Sequence, residues 1–461
     1  MASSYTIQDL ESWEAKILEQ VEESGLSCFP QEFEICDHAQ MLGYMAYSGM
    51  PAHYPHWSYG KSYEKLKTLY DYGASGLPYE MVINANPSLA YLMRENSLCL
   101  QILTIAHVYG HNDFFKNNFT FRDTRPEFTL GRFKNNAERI RSYVEDPSIG
   151  SERVEEILDA AHALSLQCRR HTAIRKLKPE EQKDRARAAA VPPRDPYQSI
   201  HSPPEIDEPD LQKVPLEPEE DILLFIRDHN PYLSEWEKDL LTIVHQQATY
   251  FLPQIETKIM NEGWASYWHH QILNNLELPA ELHMEFLIHH NQVLSPHPGQ
   301  INPYHLGFKI WKDIRQRHDG HQEIFKAREV DRDVSFLRRF LTFDLMRELD
   351  LFKYEQEGET LVISEIADED NWRAVKETLL KSVGMNGVPV ILVEEVDHHG
   401  DRALYLRHEA DGRDLEMEHA EKTLGHLHTL WRRKVCLETI LEDQKTLLSH
   451  DGAELSKQEL S

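Results

Sequence analysis

The residues best suited to chemistry lie in two stretches that are far apart in the chain. The first, AHVYGHNDFF, carries His107 and His111, which are four residues apart and therefore share one face of a helix. The second, MNEGWASYWHHQ, carries Glu262 and His269, which are seven residues apart and again share a helical face. Imidazole and carboxylate groups are common metal ligands, so convergence of the two stretches would create a metal site.

This combination matches a known arrangement of catalytic metals. In one large class of zinc enzymes, two histidines in an HxxxH spacing and a glutamate from a following helix bind the ion, and water takes the fourth position. The types and order of His107, His111 and Glu262 fit that pattern, and His269 is predicted as a fourth ligand or as an acid–base group. We therefore predict Glu262 and His269 as catalytic residues and all four residues as metal ligands.

One part of the zinc-enzyme pattern is missing. The residue after the first histidine is normally a glutamate that acts as general base, and here it is Val108. A hydrolytic reaction would need another base, or the site is non-hydrolytic or inert. Three acidic residues are candidates for that base: Glu95, Asp113 and Glu262.

A structural interpretation competes with the metal site. Two hydrogen-bonded core histidines explain the first pair equally well, and a Glu262–His269 pair that fixes helix packing explains the second. Glutamate is rarely buried unless it is paired or metal-bound, and Glu262 lies among several aromatic residues, which favours the metal. Zinc is the first expectation for a divalent ion. Iron or manganese comes second, because an additional carboxylate such as Glu285 favours those ions.

The elements that must position these residues are predicted to be helices. Asn86 and Pro87 are typical of a helix start, and the apolar segment that follows predicts one buried helix as far as Phe115. Gly110, between the two histidines, leaves room for another element to approach closely. Pro253 is predicted to separate a helix over 233–251 from the helix that carries Glu262.

The fold class predicted from the whole chain is mainly α, a large helical body with a smaller C-terminal α+β domain. After about residue 350 the apolar period changes from helical to alternating, which indicates a β-α-β-β-α order. The predicted parts are an N-terminal helical part (1–170), a Pro-rich charged linker or surface excursion (171–219), a second helical part (220–348), the α+β domain (349–451) and a disordered tail (452–461).

Composition excludes several classes of function. The chain of 461 residues has 77 acidic against 49 Lys and Arg residues and a formal net charge of -28, which argues against binding to nucleic acid or to anionic membranes. Five cysteines without a CxxC pair fit a reducing compartment. No signal peptide or apolar segment of membrane-spanning length is recognisable, so we predict a cytoplasmic protein without membrane insertion.

Several long motifs resemble one family, the stage V sporulation protein R (SpoVR) family, over nearly the whole chain. They are HYPHWSYGKSYEKL, LPYEMVINANPSLAYLMRENSL, AHVYGHNDFFKNN, PQIETKIMNEGWASYWHH and INPYHLGFKIWKDI. The resemblance implies a bacterial cytoplasmic protein that in spore formers is associated with spore cortex formation. In other bacteria, family members accompany a serine protein kinase and stationary-phase or stress functions. The resemblance carries over no catalytic residues, although His56 and the four predicted ligands fall inside its motifs.

Two hypotheses follow. The first is a sporulation metalloprotein or metal-dependent hydrolase without the usual HExxH base. The second is a non-catalytic assembly or regulatory factor for spore cortex formation, whose polar cluster only fixes the core. The missing glutamate at Val108 and the C-terminal α+β part favour the second. In the second hypothesis the C-terminal domain binds a protein partner, and we expect a partner in the sporulation programme; the sequence indicates no substrate.

Overall fold

The chain folds into two compact units. The computed structural model describes residues 5–72, 80–170, 175–190, 210–296, 301–318, 320–357, 360–366, 371–398 and 401–460, with 352–357, 360–366 and 397–398 described as backbone only. Unit 1 consists of Met1–Ser142 and Tyr250–Gly387, and unit 2 of Tyr143–Thr249 and Val388–Ser461.

Helices form most of the described structure. In chain order they are α1 (Ile7–Glu23), α2 (His38–Ala46), α3 (Trp57–Asp71), α4 (Leu98–Asn117), α5 (Thr129–Glu145), α6 (Ser151–Ala163), α7 (Pro179–Ala190), α8 (Ile222–His229), α9 (Glu235–Glu256), α10 (Lys258–Asn275), α11 (Ala280–Val293), α12 (Pro303–Arg317), α13 (Gln322–Val330), α14 (Asp333–Phe340), α15 (Phe343–Glu348), α16 (Trp372–Ser382) and α17 (Met417–Trp431). Three short 3-10 helices cover Phe119–Thr124, Pro126–Phe128 and Gly384–Gly387.

The described strands form three sheets. They are β1 (Gln31–Cys36), β2 (Glu80–Ile83), β3 (Ser88–Met93), β4 (Phe352–Glu357), β5 (Thr360–Ile366), β6 (Ile391–His398), β7 (Ala403–His408), β8 (Val435–Leu441), β9 (Gln444–His450) and β10 (Leu455–Glu459). Unit 1 contains a three-stranded sheet in the order β1-β3-β2 and the hairpin β4-β5, and unit 2 contains a five-stranded sheet in the order β10-β9-β8-β7-β6.

The predicted fold class is confirmed: a mainly helical chain with a smaller C-terminal α+β part. The division of the chain departs from the predicted one, because α6 to α8 and most of α9 belong to unit 2 with the C-terminal strands. The physical reason lies in contacts that are distant in sequence. The side-chain amide of Asn230 donates to the backbone oxygens of Leu430 and Trp431, and the backbone of Glu219 pairs with Val393 on β6.

Two further segments differ from the predicted division. The predicted tail contains β10, which pairs antiparallel with β9. Within the predicted linker, α7 is a helix without a buried residue, while 171–174 and 191–209 lie outside the described residues.

The helix that carries the histidine pair begins later than predicted. Residues 88–93 form β3, the central strand of its sheet, and α4 begins at Leu98 after the N-cap residue Ser97. The hydroxyl of Ser97 accepts a hydrogen bond from the backbone N–H of Leu100 at 3.2 Å. β3 pairs with β2, directly upstream, and with β1, more than fifty residues earlier, so the apolar run before Ser97 looks helical only when it is considered alone.

The helix that carries Glu262 also begins at a different residue. Pro253 lies inside α9 instead of ending it, and the break between α9 and α10 falls at Thr257. The backbone N–H groups of Ile259 and Met260 each donate to the buried carboxylate of Asp333 at 2.9 Å. A carboxylate at a helix N-terminus satisfies free N–H groups and complements the helix dipole, so Asp333 fixes where α10 begins.

Glycines allow α4, α10 and α12 to pack closely. A Cβ atom added at Gly110 would lie 2.6 Å from the Cα atom of Ala265, and one added at Gly263 would lie 2.4 Å from the Cα atom of Gly307. Close approach of these backbones requires the absence of side chains. The role predicted for Gly110 is confirmed, and the face of α4 that carries the histidines lies directly against α10.

Candidate metal centre

An ion-pair network in the core fixes how α4 meets α10. The carboxylate of Asp113 on α4 accepts hydrogen bonds from the guanidinium of Arg328 at 2.9 Å, from the indole N–H of Trp264 on α10 at 2.9 Å and from the backbone of Ser27 at 2.8 Å. Both charged side chains are buried, and a buried charge needs several such partners. The network holds the two helices in one register.

Each of the two histidines of α4 faces a carboxylate. The Nε2 atom of His107 lies 3.9 Å from Oε1 of Glu80, and Nε2 of His111 lies 3.5 Å from Oε2 of Glu262. Ligand atoms of Glu80, His107 and His111 all lie within 4.8 Å of one another. Tetrahedral bonds of about 2.0–2.2 Å place neighbouring ligand atoms roughly 3.3–3.6 Å apart, so small movements would complete a coordination sphere.

A hydrogen bond sets the tautomer of His111. Its Nδ1 atom lies 2.9 Å from Oδ1 of Asn261, an oxygen that can only accept, so Nδ1 carries the proton. In the neutral ring this leaves the lone pair on Nε2, the atom that faces Glu262. Metal-binding histidines are commonly held in this way by a neighbouring oxygen.

A row of three imidazoles lies behind His107. Its Nδ1 atom is 2.9 Å from Nδ1 of His269, and Nε2 of His269 is 2.8 Å from Nδ1 of His290. If His107 donates from Nδ1 to His269, and His269 donates from Nε2 to His290, the lone pair of the His107 ring lies on Nε2. That atom faces Glu80. Both nitrogens of His269 are engaged by other imidazoles, so the geometry places His269 behind the ligand edge and not in the predicted fourth ligand position.

The electrostatics of the cluster favour a cation. Burial lowers the pKa of His107 and of His269 well below the ordinary value, so both rings are neutral at pH 7. Burial and the neighbouring charge of Glu262 raise the pKa of Glu80 to about 8. At pH 7 the carboxyl group of Glu80 is therefore largely protonated, and a divalent ion beside it would stabilise its ionised form.

Tyr304, at the start of α12, completes the polar lining. Its hydroxyl is hydrogen-bonded to Glu262, and the charge of Glu262 together with burial raises the pKa of the phenol. The ring of Tyr304 stacks near that of His107, with centroids 6.2 Å apart. The phenol therefore stays protonated and donates to the carboxylate.

The other predicted acids lie elsewhere. Glu95 is exposed and lies 3.8 Å from His38, Asp113 is held by Arg328, and Glu285 accepts from the hydroxyl of Ser97. Of the three candidates for a general base, Glu262 alone is part of this cluster.

Sequence reasoning missed Glu80, Asn261 and Tyr304. Glu80 begins a four-residue strand and has no helical spacing to the histidines. Asn261 precedes Glu262 directly, and Tyr304 follows the Asn302–Pro303 helix start, so both lie in motifs that the sequence singled out for other reasons. In the sequence, only the polar side chains of Asn261 and Tyr304 mark them as possible site residues. Their role becomes visible when the positions of α10 and α12 in the fold are known.

Fold and site define a predominantly helical protein with a buried His/Glu cluster. Among the described residues, this cluster is the one group of three or more potential metal ligands.

The chain belongs to the SpoVR family: the family model described as SpoVR like protein matches residues 4–388, and the SpoVR-like C-terminal domain matches 389–442. A relative, the uncharacterized protein YcgB of Escherichia coli (strain K12), is 32% identical over 463 residues, covering 91% of this chain and 89% of its own. No solved structure matches the chain.

In the described part of the chain, every helix is too short or too polar to cross a bilayer.

Proposed function

We propose that this protein is a metalloprotein whose divalent ion is bound by His107, His111 and Glu80, with Glu262 beside it. The observation that carries the proposal is that Nε2 of both histidines faces the two carboxylates while Nδ1 of each is held by a second residue. A purely structural pair of histidines would not need both free nitrogens to converge on acidic groups.

The arrangement fits metal-dependent hydrolysis. A divalent ion there would supply Lewis acidity and make water more acidic. Glu262 is placed to accept a proton from a water molecule in the site, which is the role that the missing glutamate at Val108 would have had. The hydroxyl of Tyr304 donates to Glu262 and holds that carboxylate in position. His269 then acts as a positioning residue that fixes the ring of His107.

The ligand types favour zinc first, and iron or manganese second. Two imidazoles and one carboxylate suit all three ions, and a second carboxylate shifts the preference toward iron or manganese. Protein purified without an affinity tag should contain about one metal ion per chain, measured by elemental mass spectrometry. The absence of bound metal, together with no heat of binding when zinc, iron(II) or manganese is titrated into chelator-treated protein, would refute the proposal.

We further propose, from the family membership, that the site serves spore cortex formation together with a protein partner. The second candidate is a non-catalytic assembly or regulatory factor. The hydrogen bonds of His269 to His107 and to His290 favour this non-catalytic alternative, because they also stabilise the core. A His107→Ala/Glu262→Ala double variant in the native organism separates the two. A cortex defect in spores whose variant protein folds normally supports the site, and a normal cortex supports the scaffold.

A further inference from the structure

A groove of about 630 Å³ lies in unit 1 between the first turns of α1 and strand β1, and it is distinct from the metal cluster. Its apolar lining comes from both of these elements, from β3 and from α4. The aliphatic and phenylalanine side chains of the lining are Ile7, Leu10, Phe33, Ile35, Leu92 and Ile105. Two of them, Phe33 and Ile35, belong to β1 and are only half-buried. The volume falls in the range of sites that hold a ligand of several hundred daltons.

One wall of the groove is an open sheet edge. β1 pairs with β3 in parallel, with Gln31 opposite Ser88, and no strand among the described residues pairs with its other side. The N–H of Ser88 donates to the oxygen of Pro30 at 2.8 Å, and that of Arg94 to the oxygen of Cys36 at 2.8 Å. Even-numbered residues therefore direct their backbone groups toward β3.

In a strand, the backbone N–H and C=O groups of successive residues point alternately to the two edges, so those of the odd-numbered residues of β1 point away from β3. The backbone N–H and C=O groups of Phe33 and Ile35 point to the open edge, and both residues line the groove. No described residue forms a hydrogen bond with these backbone groups. Unpaired strand edges are templates for an added strand, which gains main-chain hydrogen bonds there and places alternate side chains in pockets.

The charges at the rim indicate which peptide would fit. Glu11, Glu14 and Glu34 line the groove, with Arg94 as its single basic residue. Glu11 and Glu34 are exposed, whereas one oxygen of Glu14 accepts a hydrogen bond from the hydroxyl of Tyr109 at 3.0 Å. We propose that the groove binds an extended segment of a partner protein, in which apolar and basic side chains alternate, by strand addition to β1.

The test uses a fluorescein-labelled eight-residue peptide of alternating lysine and valine, with fluorescence anisotropy as the readout. A chain with net charge -28 attracts any basic peptide, so the decisive variant must leave charge unchanged. Ile35→Pro removes the N–H that points to the open edge and leaves the β3 ladder intact, a position where proline is tolerated. Ile35→Ala is the matched control, because it shortens the side chain and keeps the N–H.

Strand addition predicts saturable binding that Ile35→Pro weakens about fivefold to tenfold more than Ile35→Ala does. A Glu11→Lys/Glu34→Lys double variant should weaken binding about tenfold at low salt, while Glu32→Lys, exposed on the same strand but outside the groove, should change it less than about twofold. A peptide N-methylated at alternate amides should bind the wild-type protein about fivefold to tenfold more weakly than the unmethylated peptide does, which tests the strand edge without any protein variant.

Three results would overturn the proposal. Equal affinity of the Ile35→Pro and Ile35→Ala variants would exclude pairing with the strand edge. Weakening by Glu32→Lys that is as large, per unit of charge changed, as the weakening by the double variant would mean that the peptide binds by net charge alone. A wild-type dimer in sedimentation velocity that Ile35→Pro abolishes would assign the groove to a second copy of this chain instead of a partner.

Discussion

Two groups of histidines, one in unit 1 and one in unit 2, lie in opposite environments. In unit 1, His107, His269 and His290 are buried and linked in series through ring nitrogens. In unit 2, His426 and His428 lie on α17 among half-exposed residues, while the buried face of that helix is apolar. The comparison teaches that burial and hydrogen bonding fix an imidazole in place, and that the ring becomes a candidate metal ligand only where its other nitrogen faces an acidic group, as in His107 and His111.

The largest expected effect tests whether only the buried histidines bind metal. His111→Asn removes a ligand nitrogen, so bound metal should fall from about one equivalent to less than roughly a tenth. The measurement is elemental mass spectrometry of untagged protein at equal concentration. The matched control is a His426→Asn/His428→Asn double variant in unit 2, which should keep its metal. Equal losses in both would contradict the assignment of the site to unit 1.

The next effect compares a buried with an exposed ion pair. Arg328→Met leaves the buried carboxylate of Asp113 without its cation and should lower the free energy of unfolding by about 3–5 kcal/mol. Lys422→Met breaks the exposed pair with Glu418 on α17 and should have no measurable effect. Chemical denaturation followed by tryptophan fluorescence measures both. A loss below about 1 kcal/mol for Arg328→Met would mean that the network does not hold α4 against α10.

A smaller effect is expected when the stability changes caused by alanine at two helical glycines are compared. Gly263→Ala places a methyl group 2.4 Å from the Cα atom of Gly307 and should destabilise the protein by about 3 kcal/mol, because a backbone must move. Gly425→Ala on α17 meets only the ring of His450 at 3.7 Å, an ordinary contact, and should stabilise by up to about 1 kcal/mol. Thermal unfolding of both variants gives the comparison. Similar unfolding temperatures for the two variants would show that α10 and α12 can move apart without loss of stability.

The smallest effect concerns pH and His290. Burial lowers the pKa of His290 to about 4, and the nearby His270 on α10 and Lys312 on α12 lower it as well, while His269 on α10 contacts its Nδ1 atom. The unfolded ring titrates near about 6.5, so the unfolded state binds more protons below that pH. Stability should therefore fall as the pH drops from about 6.5 toward 4.

This single group should contribute a loss of about 2 kcal/mol between pH 7.5 and 5. His290→Asn should reduce the pH dependence of the unfolding free energy by that amount. Denaturation curves at the two pH values measure it. An unchanged pH dependence in His290→Asn would mean that the ring binds its proton as readily in the folded as in the unfolded protein.

Part of the site could be predicted because helical spacing is local. The i, i+4 relation of His107 and His111 and the position of Glu262 on a following helix follow from the sequence, and α1, α8 and α12 lie close to where their apolar periods and caps indicate. The start of α4 could not be predicted in this way, because β3 is defined by pairing with β1, more than fifty residues earlier in the chain. Local propensity gives no access to such a partner.

By itself, the sequence determined the mainly helical class, the C-terminal α+β part, the family and the two histidines that point from one helical face. Only the tertiary structure decided that Glu80 joins them and that His269 stands behind His107. Helical periodicity specifies which side chains share a face, because neighbouring turns are linked by the backbone itself. It does not specify which remote side chain that face meets, since this depends on the close packing of α4 against α10 that Gly110 permits.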